Sequence, residues 1–144
     1  MALKWPKPGV NDTAAYQLSG IPFIYRGTAP ARGVGDNDPG LALHVKFDNV
    51  TRDITIINKD ASDDLRIAFT ASGSVKNGVN ANHYLFVDAN TTSRKYNFRC
   101  KELFFISDHA TNTVSFELIA STTNIPTASF PTLTGSNSDY LGVG

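Results

Sequence analysis

One cysteine, Cys100, stands alone in the chain, which excludes an intrachain disulfide and gives a structural zinc site a poor start. Glutamate occurs twice, glutamine once and methionine once, against 12 asparagines, 14 threonines and 11 serines, a usage that disfavours helices and suits short strands joined by polar turns. No apolar run reaches the length of a membrane-spanning helix. Neither sign of charge is in excess, since 13 Lys plus Arg balance 13 Asp plus Glu without a dense basic run. Neither nucleic acid nor an anionic membrane is therefore an expected partner. Residues 1–16 are polar, carry Pro6 and Pro8, and lack the apolar core of a secretory signal, so synthesis in the cytoplasm is expected. What is present is enough for one domain: 144 residues, 41% of them apolar, can close a single core.

From residue 41 onward, short apolar or alternating runs are separated by Asn, Asp, Gly and Ser clusters, the pattern of an antiparallel all-β domain; with a strand ahead of them they make a sandwich of about eight strands. The first strand, Ile21 to Arg26, carries Pro22, which cannot donate to a ladder and so places the strand at an edge. Leu41, Leu43, Val45 and Phe47 share one face of the second strand. Asp48 to Thr51 reads as a turn, followed by Ile54, Ile56 and Asn58, then by Leu65, Ile67 and Phe69. His83 to Val87 is apolar on both faces and is expected at the centre of a sheet. Arg94 to Ser107 reads as two strands bent near Cys100, or one strand bulged there. Val114, Phe116, Leu118 and Ala120 mark the clearest strand. The predicted core is Leu43, Val45, Phe47, Ile54, Ile56, Ile67, Phe69, Phe86, Phe98, Leu103, Phe105, Val114, Phe116 and Leu118, with Cys100 buried beside it. The stretch 71–82, rich in Gly, Asn and Ser, predicts a mobile loop, and 33–40 a flexible one.

The expected organisation is an extended N-terminal arm over 1–20, a sandwich over 21–120 and a C-terminal arm over 121–144. The arms carry Trp5, Tyr16, Phe130 and Tyr140, too apolar for plain solvated tails. These four are the candidate assembly contacts, either packed back on their own sandwich or laced onto a neighbour. Deleting residues 1–15 is expected to weaken assembly more than folding.

Sites of chemistry find little support. Ser107, Asp108 and His109 are consecutive, which seldom lets a triad converge, and no nucleophile elbow occurs. Glu102 and Glu117 are the only glutamates, and each is expected to pair across strands rather than to flank a glycosidic bond. Asp36 to Gly40 faintly resembles a calcium loop, but position twelve is Phe47 and no helices flank it. His44, His83 and His109 make no zinc spacing. Three N-x-Ser/Thr sequons, at Asn11, Asn49 and Asn90, are what an Asn- and Thr-rich chain yields by chance. The expectation is no enzyme, no cofactor and no metal.

Three stretches resemble a known class: Tyr16 to Phe23, Cys100 to Ile106, and Ile125-Pro126 followed by Phe130 to Gly135. Together they resemble small virion structural proteins of tailed bacteriophages, of the marine and cyanobacterial type. The resemblance implies a jelly-roll-like sandwich that decorates or cements the capsid, with copies of itself and the major capsid protein as partners. It equally allows a head-to-tail or tail accessory module. A different class of function is a receptor- or carbohydrate-binding sandwich whose loops 27–40 and 71–82 recognise the ligand.

Overall fold

A computed structural model describes residues 21–131 and Leu133, and all statements of structure below concern these residues. Eight strands form: β1 (Pro22–Ala29), β2 (Leu43–Lys46), β3 (Asn49–Asn58), β4 (Leu65–Ala68), β5 (Tyr84–Val87), β6 (Ser93–Tyr96), β7 (Glu102–Ser107) and β8 (Val114–Pro126). The only helical pieces among the described residues are three short 3-10 turns. The strands make two four-stranded antiparallel sheets: sheet A in the order β1-β8-β3-β6, and sheet B in the order β2-β7-β4-β5. The fold is thus an all-β sandwich.

The order has a simple origin. β1 pairs with β8, β2 with β7, β3 with β6 and β4 with β5, so the chain is one long antiparallel ribbon whose tip lies between β4 and β5. Rolling that ribbon brings β8 against β3 and β7 against β4, which completes both sheets. Each sheet then buries one face on the other, and period-two patterning decides which side chains go in. Phe105 of β7 and Phe116 of β8 come from opposite sheets and stack at 4.3 Å between ring centroids in the middle of the core. Ile54, Ile56, Leu65, Leu103, Leu118 and Val114 close around them without solvent exposure. Cys100 is buried too, with its Sγ 3.3 Å from the Thr51 hydroxyl.

All eight expected strands are present, with corrections at four places. Phe86 is not core: it lies opposite Arg66 on the outer side of sheet B and is 44% exposed. Its strand β5 is an edge, not a centre, because nothing in its apolar composition distinguishes inward Val87 from outward Phe86. Asn49 to Thr51 is strand rather than turn, since register shifts against β8 at Thr51 let Val50 and Thr51 both point inward. β8 runs on to Pro126, so residues 121–126, expected in the C-terminal arm, belong to the sandwich.

The loops also differ from expectation. Segments 30–42 and 70–83 lie down over the outer face of sheet B, with Asp36, Ser74 and Val75 buried. This cover leaves Ile106 and Phe104, which point away from the core, less than a tenth exposed. Both ends of the described chain lie at one end of the sandwich. There Ile21 is tied to Thr122, and Thr127 to Asp48, by backbone hydrogen bonds.

Candidate functional site

Arg66 sits on β4 between Leu65 and Ile67, whose side chains enter the core, and so projects its guanidinium outward beneath the loop cover, where it is 3% exposed. A charge so placed is stable only when fully paired. Its Nη1 and Nη2 donate to the two carboxylate oxygens of Asp36 at 2.8 and 2.9 Å. Nε donates to Asp108 Oδ1 at 2.6 Å, Nη2 also meets that oxygen, and Nη1 reaches the Ser74 carbonyl at 3.3 Å. The Tyr84 ring lies under the guanidinium, 4.2 Å from its centroid, adding a cation–π contact. All five N–H groups of the side chain thus have acceptors, and none is left to hold a ligand.

Asp36 is equally engaged. It has a positive φ of 48°, and its Oδ1 accepts the Lys76 amide while its carbonyl accepts the Asn77 amide, which ties segment 30–42 to segment 70–83. Arg32 lies 3.8 Å from it. Burial by itself raises the Asp36 pKa, but the Arg66 hydrogen bonds, the Lys76 amide and the charges of Arg66 and Arg32 outweigh burial and hold the carboxyl below its ordinary value. The cluster is a three-way clasp of sheet B, the two covering loops and the β7–β8 turn. The Asp36 carboxylate is thus committed to Arg66, and Asp38 accepts the Gly40 amide at the start of a 3-10 turn.

The other sequence candidates resolve as local structure. Ser107 Oγ accepts the His109 amide, Asp108 holds Arg66, and His109 Nδ1 accepts the amides of Thr111 and Asn112, so the three point to different partners. Glu117 pairs with Arg26 across β8 and β1 at 3.0 Å, on the outer face of sheet A. Glu102 meets His44 at 2.7 Å on the outer side of sheet B, where His44 stacks on Phe104. The two glutamates lie on opposite faces of the sandwich. Among the described residues no group of three His, Cys, Asp or Glu is placed to hold a metal. The carboxylates of the acidic loop 59–64 are held by protein groups: Asp60 accepts the Ser62 and Asp63 amides, Asp63 the Asn112 side-chain amide and Asp64 the Ala89 amide.

Of the candidate assembly contacts, Phe130 packs on its own domain against Val50 and Ile125. Trp5, Tyr16 and Tyr140 lie outside the described residues. Exposed apolar side chains are spread over both sheets: Val34 and Val79 stand out on the covering loops and Phe86 on β5, while on sheet A and just before its β1 edge Ile21 is 66%, Ile24 74% and Ile119 41% exposed. Ile24 and Ile119 are direct cross-strand neighbours. The surface depressions on the sandwich flanks are shallow, about 280 Å³ around Arg26, Lys59 and Glu117 and about 300 Å³ around Lys46, Lys101 and Glu102. In comparisons with family models, curated proteins and solved structures, nothing matches this chain.

Proposed function

We propose that this chain is a bacteriophage virion structural protein, a decoration or cement protein that stabilises the head through contacts with itself and with the major capsid protein. The observation that carries the reading is the winding. Ladders β1:β8, β2:β7, β3:β6 and β4:β5, rolled into the sheets β1-β8-β3-β6 and β2-β7-β4-β5, give the strand order of a jelly roll, an architecture shared by viral capsid and lectin domains. This is an argument by analogy of fold. It gains support from the surface: the strongest charge cluster is saturated internally, and Ile21 and Thr127, near the two ends of the described chain, lie at one end of the sandwich. Contacts of modest strength suffice for such a role when many copies act together. The reading places the protein in the virion after synthesis in the host cytoplasm.

A receptor-binding reading draws less support, because segments 30–42 and 70–83 are clasped to each other and to sheet B through Asp36 and carry no Phe, Tyr or Trp. Mass spectrometry of purified particles, with labelled electron cryomicroscopy, tests the proposal. The expected result is a copy number set by capsid symmetry and density on the head surface. Density at the neck or tail overturns the decoration role in favour of an accessory module. Absence from particles overturns the virion reading altogether, and selective binding on a glycan array would replace it with recognition.

A further inference from the structure

The Ile21 carbonyl accepts the Thr122 amide, which fixes the direction of every backbone group along β1. In an antiparallel pair successive residues point their N–H and C=O alternately toward and away from the partner. Phe23, Tyr25, Gly27 and Ala29 therefore bond to β8, while Pro22, Ile24, Arg26 and Thr28 turn theirs to the open edge. Eight consecutive register pairs join β1 to β8 without a bulge, so this edge is straight and regular. Pro22 is tolerated because its missing N–H faces outward. Among the described residues nothing pairs with this edge; it is blunted only by Pro22 at its start and by Arg26, whose charge is matched by Glu117, and Ile24 on it is 74% exposed. Native proteins seldom leave such an edge open.

We propose that a second copy of this chain pairs with it, β1 against β1 about a two-fold axis, joining two A sheets into one continuous eight-stranded sheet. The edge is self-complementary. Centring the axis on Tyr25 lets Ile24 donate to Arg26 of the second copy, Arg26 to its Ile24, and Thr28 to its Pro22, so all three free amides of each copy are used. The register centred on Arg26 uses as many amides but sets guanidinium directly against guanidinium, which is unfavourable. In the Tyr25 register Ile24 faces the aliphatic stem of Arg26, whose charge is matched within its own copy by Glu117 at 3.0 Å. The row Glu117–Arg26 then continues into Ile24 and Ile119 of the second copy, so each Arg26 has an isoleucine directly opposite it and the two Arg26 side chains, like the two Ile24, meet only on the diagonal. The inference goes beyond the proposed function: it concerns the isolated chain and names the contact surface.

Sedimentation equilibrium of the full chain over a concentration series, with amide exchange read at single residues, tests it. The expected result is a monomer–dimer equilibrium in which the Ile24, Arg26 and Thr28 amides gain protection as concentration rises. Ile24→Pro, which removes an outward N–H and leaves the β8 ladder whole, should weaken association at least tenfold with circular dichroism unchanged. Ile24→Lys, a second variant that keeps the backbone, should act in the same direction. Protection that is independent of concentration means that residues 1–20 of the same chain cover the edge, and it overturns the proposal. So does a monomer with unprotected edge amides, or a dimer that survives both substitutions. A chain that decorates capsids yet stays monomeric alone defeats this inference and leaves the virion reading standing.

Discussion

Arg66→Met removes the centre of the clasp while keeping a flexible apolar side chain of similar reach. Two carboxylates lose their main counter-ion, Asp36 keeping only Arg32 at 3.8 Å, but they do not lose equally. Asp36 has a side chain 5% exposed and has nowhere to find water, whereas Asp108 is 35% exposed and its loss is largely screened. The cost is therefore set by Asp36, at about 3 kcal/mol, the lower end of what breaking a buried ion pair costs. For a domain of this size each kcal/mol shifts the thermal midpoint by about 3 °C, so a drop of roughly 9 °C is expected. Calorimetry measures it. Because Asp36 also anchors the Lys76 and Asn77 amides, exchange at residues 30–42 and 70–83 should quicken before the sandwich itself opens. Arg66→Met combined with Asp36→Asn should recover part of the loss, since the buried carboxylate is gone and only the solvent-screened Asp108 is left without Arg66. If Arg66→Met costs less than about 1 kcal/mol and leaves loop exchange unchanged, the clasp does not hold the cover and the reasoning is refuted.

Acid should open the same clasp: the Asp36 carboxyl is held below its ordinary value, so the stability it contributes is present above about pH 4 and is lost as pH falls through the lower folded value; a loss of loop protection that begins well above pH 5 would contradict this. Thr51→Val should cost about 1 to 3 kcal/mol in urea unfolding, because the Thr51 hydroxyl accepts the buried Cys100 amide at 3.0 Å and donates to the Phe98 carbonyl at 2.7 Å, and valine orphans both. Burial pushes the Cys100 thiol up to about 11, against a weaker opposing hydrogen bond with Thr51, so a thiol reagent should label the native protein slowly at pH 8 and rapidly once urea unfolds it. Thr91 holds a φ of 58°, costly for a β-branched residue, so Thr91→Gly should raise the thermal midpoint, by up to about 1 kcal/mol in stability terms; a lowered midpoint would show that the turn needs the threonine for another reason.

The fold was legible in the sequence wherever alternation had one wet face and one dry face. β2, β3, β4, β7 and β8 announce Val45, Ile54, Ile67, Phe105 and Phe116 as inward by period two alone, and all five are buried. Legibility failed where a second layer covered the outer face. On β7 and β4, Phe104, Ile106 and Arg66 stand at positions that alternation assigns to solvent, and all three are buried by loops whose Gly, Asn and Ser content signals mobility. Such a composition reports that a segment forms no regular element, not that it lies free. What orders it is distant in sequence: Arg66 reaches Asp36 and Asp108 from positions 30 and 42 residues away, a convergence that no local pattern records. One signal was available. An arginine between Leu65 and Ile67, in a strand of four residues, is flanked so tightly by core positions that its charge needs partners near the sheet surface. Which carboxylates those are was not legible: Asp63 and Asp64 stand nearest in sequence, whereas the partners are Asp36 and Asp108. The same reasoning explains why the open edge of β1 was half visible. Pro22 marks an edge from sequence, but which way Ile24, Arg26 and Thr28 direct their amides depends on pairing parity with β8, and a shift of one residue would have turned those donors inward. The surface available to a second copy is thus fixed by register, a property of two strands some ninety residues apart.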